Sequence, residues 1–201
     1  LHAGEITAVA GLQGSGRTEL AEAIFGIRPF TRGSVEVGGR RVRVTSPRHA
    51  ARLGIALITE DRKATGLSLA QSILDNVLLV IRGVFPRRTA HVRREADALM
   101  ARLELSTDRL DREVQLLSGG NQQKVVLGKW LATRPRVVIL DEPTRGIDVG
   151  AKVAVYDVIR SLAREGVAIC MISSELPELL GIADRVLVMR DGRLVAELAP
   201  S

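Results

Sequence analysis

Short apolar runs alternate with helix-like stretches along most of this chain. Glu5 to Ala10 reads as a strand, followed by a glycine-rich turn and a helix from about Thr18 to Phe25. Ser34 to Val37 and Arg41 to Val44 flank Gly38-Gly39, a pair suited to the positive φ angles of a two-residue hairpin turn. Ser46-Pro47 opens a short helix, with serine as cap and proline at its first position. Ile55 to Ile58 is a further short strand. The alternation predicts an α/β fold with a mostly parallel sheet.

From about Ser72 to Arg134 the periodicity turns helical, over Ile73 to Ile81, Ala90 to Leu103 and Gly119 to Thr133. No strand pattern interrupts this block, so residues of about 68–134 are expected to form a helical subdomain inserted in the α/β core of one domain, 1–201. Val137 to Leu140 is wholly apolar, as a strand buried on both faces should be. A helix over 150–164, a strand over Val167 to Ile172 and a short helix over Glu175 to Leu180 follow. The pattern closes on an antiparallel hairpin, Arg185 to Arg190 and Arg193 to Leu198, around Asp191-Gly192. There is no internal repeat and no low-complexity segment.

Composition narrows the class. With 46% hydrophobic and 26% charged residues among 201, the chain is of the folded, globular kind. No apolar run approaches the ~20 residues needed to span a bilayer. The most apolar stretch, Ile73 to Phe85, is broken by Asp75, Asn76 and Arg82 and reads as an amphipathic helix. The chain opens on Leu1-His2-Ala3-Gly4-Glu5 without an initiator Met or a signal peptide, as a piece of something longer would. The single Cys170 has no internal disulfide partner and is expected as a small core residue on a buried strand. A net charge of +6 raises nucleic acid or an anionic membrane surface as partners. Aromatics at 2% are too few for a base-stacking surface, and the arginine clusters Arg40-Arg41-Arg43 and Arg87-Arg88 are short. No nucleic-acid partner is expected; docking at a membrane face stays open.

Three motifs carry chemistry. Gly11-Leu12-Gln13-Gly14-Ser15-Gly16-Arg17-Thr18 joins a strand to a helix and matches the phosphate-binding loop at every fixed position except Arg17, where that loop has lysine. Glycines let backbone N–H groups converge on phosphate oxygens, the helix N-terminus adds partial positive charge, and Thr18 offers a hydroxyl to Mg²⁺. Alone, the segment also fits a glycine-rich turn without a ligand. Val137-Val138-Ile139-Leu140-Asp141-Glu142 ends a buried strand in two carboxylates, which suits a bound cation at Asp141 and a water-polarising base at Glu142. Ordinary solvated acids after a strand read the same way in isolation. Leu117-Ser118-Gly119-Gly120-Asn121-Gln122-Gln123 places a serine and two glycines at a helix start, a second anion-binding terminus or a plain serine cap. What favours chemistry in each is their conjunction along the chain: the phosphate loop, then the serine-glycine turn, then the apolar strand with Asp-Glu, in that order and spacing.

These residues together resemble the ATPase domains of ABC transporters, and Leu117-Ser118-Gly119-Gly120 is similar to that family's signature sequence. The likeness is strongest to the second nucleotide-binding domain of monosaccharide importers of ribose, galactose and xylose type. It rests on Gly14 to Leu20, Glu60-Asp61-Arg62-Lys63, Leu117 to Val125, Asp141 to Asp148 and Ile172 to Leu180. It covers nearly the whole chain and implies a P-loop NTPase (RecA-like) core with antiparallel β segments. It further implies ATP and Mg²⁺ as cofactors, with Thr18 and Asp141 holding the metal and Glu142 catalytic. Gly11, Gly14, Ser15, Gly16, Arg17, Thr18, Glu60 and Ser174 would bind nucleotide, and Asp148 would cross a dimer interface. Implied partners are a first ABC domain, in the same chain or a dimer mate, a transmembrane permease and, indirectly, a periplasmic sugar-binding protein. The implied place is the cytoplasmic face of the bacterial inner membrane.

The chain departs from that pattern in its phosphate contacts. Arg17 replaces lysine, and a planar guanidinium does not reproduce lysine's point contact. Glu60 stands where a glutamine usually coordinates Mg²⁺ and water, and Ser174 where a histidine usually contacts the γ-phosphate. The segment that would supply an aromatic against adenine is not among these residues. ABC domains pair head to tail, each ATP lying between one P-loop and the other domain's signature turn. The expectation is therefore a degenerate site at this chain's P-loop, with Ser118, Gly119, Gly120 and Asn121 completing a competent site on the partner. Rival readings are an importer of nucleosides or a furanosyl signal, an ABC protein acting on nucleic acid, and a non-catalytic nucleotide-binding domain.

Overall fold

A computed structural model describes residues 1–30, 32–88, 92–105, 108 and 110–199. The chain divides into two compact units, Leu1–Leu57 with Pro135–Glu142 and Leu162–Ser201, and Ile58–Arg134 with Pro143–Ser161. No helix among the described residues is long and apolar enough to cross a membrane.

The first unit is built on a six-stranded sheet in the order β4-β5-β6-β1-β7-β8. Its strands are β1 (Ile6–Ala10), β4 (Ile55–Ile58), β5 (Val137–Asp141), β6 (Ala168–Ile172), β7 (Arg185–Arg190) and β8 (Arg193–Leu198). β1 pairs in parallel with β6 and β7, and β5 pairs in parallel with β6. β1, β4 and β6 are buried at every position, and only Val137 of β5 is less than buried, which is why these segments read as continuous apolar runs. β8 returns antiparallel to β7 through Asp191 and Gly192, both at positive φ, as the Asp-Gly pair requires. Gly38 and Gly39 make the same kind of turn between β2 (Val35–Val37) and β3 (Arg40–Val42), which form a separate two-stranded sheet. The helices α1 (Arg17–Phe25), α2 (Pro47–Arg52) and α7 (Leu176–Ile182) complete this unit. Cys170 is buried in the core, and burial pushes its thiol up to about 12, so it stays protonated and packs as a small apolar group.

The second unit is helical: α3 (Ile73–Val84), α4 (Val92–Arg102), α5 (Gly119–Leu131) and most of α6 (Val149–Arg164), through Ser161. The sequence reading began α4 at Ala90, which lies outside the described residues. α3, α4 and α5 pack on one another. α3 buries Ile73, Leu74, Val77, Leu78 and Ile81, the spacing of one helix face, and leaves Leu79 exposed. The polar break at Asn76 is a clamp rather than a flaw. Its side chain is buried, accepts from the Ser68 amide at 2.8 Å and donates to the carbonyls of Ser68 and Ser72 at 3.0 and 2.9 Å. The sequence reading assigned no element to Arg62–Gly66, which forms a π-helical turn capped by Asp61. One Asp61 carboxylate oxygen accepts from both the Lys63 and Ala64 amides at 3.0 Å.

Candidate functional site

The first unit carries the phosphate-loop residues. β1 delivers the chain to Gly11, and Gly14 and Gly16 take φ values of 81° and 97° that only glycine adopts cheaply. A Cβ at Gly11 would lie 2.5 Å from the Met189 carbonyl oxygen, so the β7–β8 hairpin approaches the loop as closely as its backbone allows. The hairpin also bonds to it, the Gly192 amide donating to the Ser15 carbonyl at 2.9 Å. Gly16 precedes α1 and no side chain caps that helix. Its first backbone N–H groups are therefore left for an anion. A cavity of about 710 Å³ is lined by the loop from Gly11 to Ser15 together with Ser173, Ser174 and Met189.

Two carboxylates meet this loop. The Thr18 hydroxyl donates to Asp141 Oδ2 at 2.8 Å. Asp141 is buried, and its Oδ1 has no hydrogen-bond partner among the described residues; Ser15 Oγ is in the same condition. Burial raises the Asp141 pKa, opposed by the Thr18 hydroxyl and the Arg17 charge. A buried carboxylate with one idle oxygen beside a threonine hydroxyl is the hard, oxygen-only donor set that suits Mg²⁺. Glu142 follows with φ at 50°, a left-handed conformation that side chains rarely adopt. Burial raises its pKa too.

Arg17 does not stand free. It is 8% exposed, and its Nη1 donates to the Ser173 carbonyl at 2.7 Å. Its Nη2 lies 3.9 Å from Glu142 Oε1, while Ser174 Oγ donates to Glu142 Oε2 at 3.3 Å. The guanidinium thus spans from the start of α1 to the end of β6. Ser173 was missed by sequence reasoning: its carbonyl holds Arg17, its hydroxyl donates to Glu178 and accepts from the Glu175 amide. A backbone carbonyl leaves no mark in sequence, so no signal could have found it. Gly11, Gly14, Ser15, Gly16, Arg17, Thr18, Asp141, Glu142 and Ser174 all belong to this unit.

Glu60, Ser118, Gly119, Gly120, Asn121 and Asp148 belong to the second unit. Ser118 caps α5, its Oγ accepting from the Asn121 amide at 3.5 Å. A Cβ at Gly120 would come 2.5 Å from Ala151 Cβ, and one at Gly119 would come 2.9 Å from Arg62 Nη2. The two glycines are there for close packing as well as for exposed amides. Asp148 Oδ1 accepts from the Ala151 amide at 3.0 Å and so caps the start of α6. Glu60 forms an ion pair with Arg145.

Comparison with known proteins bears on both units. Residues 1–145 match the family described as ABC transporter. The chain is 52% identical over 202 residues to the ribose import ATP-binding protein RbsA of Geobacillus kaustophilus, covering 98% of this chain and 41% of that protein. It is 49% identical to a putative ribose/galactose/methyl galactoside import ATP-binding protein of Pseudomonas fluorescens, covering 98% of this chain and 39% of the relative. The chain therefore spans about two fifths of the length of these curated relatives. Among solved structures, a nucleotide-free ATP-binding cassette from an ABC transporter superposes with a TM-score of 0.85 at 21% identity, covering 100% of this chain and 83% of that one. The cbiO1 protein of Clostridium perfringens gives 0.84 at 23%, covering 98% and 78%. At such identities the structures show the fold, a P-loop NTPase core.

Proposed function

The chain belongs to the ABC transporter family, and from that premise we propose that it is an ATP-binding domain that drives import of a ribose- or galactose-type monosaccharide through a separate permease. The observation that carries this reading is the Thr18–Asp141 contact beside the idle Asp141 Oδ1, at the mouth of a phosphate loop. The printed names of the relatives supply the sugar class.

Thr18 and Asp141 would hold Mg²⁺, which neutralises charge on the terminal phosphates. The loop amides and the uncapped start of α1 orient the phosphates. Glu142 sits one residue past Asp141 to accept a proton from water, but Ser174 and Arg17 engage its two oxygens. Arg17 is held by the Ser173 carbonyl, and Ser174 lacks the reach of an imidazole. These features support a degenerate site here: nucleotide binds and turns over slowly. This is the second-domain role in a pair, with Ser118, Gly119, Gly120 and Asn121 facing the nucleotide of a first ABC domain and Asp148 at the shared interface. Residues of about 68–134 act as the helical subdomain that receives the permease, where Leu79 offers an exposed apolar contact. In this reading the domain works at the cytoplasmic face of the inner membrane, and a periplasmic sugar-binding protein supplies the cargo.

The test is ATP turnover by the chain alone, by the chain paired with a first domain, and by the pair carrying Ser118→Arg. Slow turnover alone, fast turnover in the pair and loss in the variant are expected. Turnover by the lone chain at the rate of a complete pair would overturn the asymmetric assignment.

A further inference from the structure

Arg62 touches two turns of the second unit outside its own loop. It opens the π-helical turn directly after Glu60 and Asp61. Its Nη1 donates to the Arg145 carbonyl at 2.9 Å and its Nη2 to the Gly146 carbonyl at 3.3 Å. The same Nη2 lies where a Cβ on Gly119 would come within 2.9 Å, and the Gly146 oxygen lies 3.4 Å from that point. One guanidinium thus ties the Glu60 loop to the Arg145–Gly146 turn by hydrogen bonds and packs closely against the first helical residue of α5, where only a glycine leaves it room. Its Nε is buried and has no partner among the described residues, so the group is fixed by its fork alone.

The neighbours make the closure rigid. Glu60 pairs with the Arg145 side chain, so the 145–146 segment is held by its side chain and its carbonyls at once. At the far end of the π turn, the Gly66 carbonyl accepts from Lys129 of α5, and a Cβ on Gly66 would stand 3.3 Å from Val126. The turn therefore lies along α5, from Gly119 at its start to Lys129 near its end. Carbonyls of two consecutive residues present a pair of acceptors that a planar two-armed donor bridges in one fixed geometry, which a rotatable ammonium on a flexible stem does not impose.

We propose that Arg62 is the positioning residue that locks the Ser118-Gly119-Gly120 turn to the Glu60 loop and the 145–148 turn, so that the three move as one body. The proposal rests on the reading that Ser118 to Gly120 complete a partner's nucleotide site. Without the fork, α5 keeps its Ser118 cap and its packing, but the turn loses its register against the 145–148 segment.

The experiment compares Arg62→Lys with wild type, using the chain paired with a first domain. Turnover is expected to fall about tenfold in kcat with KM within about threefold, the pattern of an interaction needed in the transition state. Amide hydrogen exchange in Gly119 to Gln122 and Gly146 to Asp148 should quicken together, while Thr18 to Phe25 stays unchanged. An Arg62 that merely stabilises its own turn would quicken only Lys63 to Leu67, and that result overturns the proposal, as does unchanged kcat. Arg62→Gln, which keeps an N–H donor, gives the same discrimination if the lysine variant folds poorly. Ser118→Arg separates the two ideas: if it leaves turnover intact the signature reading fails, and if it abolishes turnover while Arg62→Lys is silent only the role of Arg62 fails.

Discussion

The phosphate loop and the signature turn are both helix starts built from glycine and serine, yet they keep opposite things. At the phosphate loop the backbone is intact and the side chains are changed: Arg17 is spent on the Ser173 carbonyl, and both Glu142 oxygens are engaged. At the signature turn the side chains are intact, and Ser118 does no more than cap α5 with a long 3.5 Å bond. A loop that only grips phosphate can lose its lysine and keep its shape. On the proposed reading, the turn meets another domain's nucleotide and so has to keep small residues and free donors.

That contrast breaks most sharply at Ser118. Ser118→Arg puts a bulky side chain over the start of α5 and should lower turnover of the paired domains by roughly 10²–10³-fold, the scale for losing a transition-state donor. Nucleotide affinity of the lone chain should not change; a parallel loss there, in a fluorescent-nucleotide titration, would mean the two sites are not separate. Next in size is Gly11→Ala, whose Cβ meets the Met189 backbone oxygen. Overpacking against backbone should cost about 2–3 kcal/mol. At about 2–4 °C per kcal/mol, a melting curve should shift down by roughly 4–12 °C.

A third test moves to α5 itself. Burial lowers the Lys129 pKa to about 8. The charged form is penalised in the folded state, so this group costs stability below pH 8, and the cost is relieved as pH rises from there toward the ordinary lysine range. Between pH 7 and pH 10, urea unfolding of wild type should gain on the order of 2 kcal/mol relative to Lys129→Met. A constant difference would mean that the Gly66 carbonyl holds the ammonium as firmly as water does. Smallest of all is Ser174→Ala, which removes one 3.3 Å contact to Glu142. Paired turnover should change less than twofold if the chemistry belongs to the partner's loop; a tenfold fall would put it back in this one.

Much of this was legible in the residues themselves. The apolar run ending at Asp141, the Gly38-Gly39 and Asp191-Gly192 turns and the Ser46-Pro47 helix start each encode their geometry within a few neighbours, and the structure has them there. The Asp141–Thr18 contact was implied only through the resemblance, since 123 residues separate the pair. Neither the π turn at Arg62–Gly66 nor the Arg62 fork was read. A π turn breaks no propensity rule, and the fork's acceptors are backbone oxygens over 80 residues away. Arg17 was recognised as a departure, but its tie to Ser173 depends on how β6 ends beside α1, which no local pattern records.

One consequence of the β7–β8 hairpin concerns the order in which the molecule is made. β1 lies between β6 and β7 in the sheet, and the loop after it is braced by Met189 and Gly192. On a ribosome, the segment that cradles phosphate emerges well over a hundred residues before its flanking strands. The nascent chain consequently has the loop's glycines without the walls that hold them in place. The loop after β1 gains its Met189 and Gly192 braces only once the β7–β8 hairpin has been made.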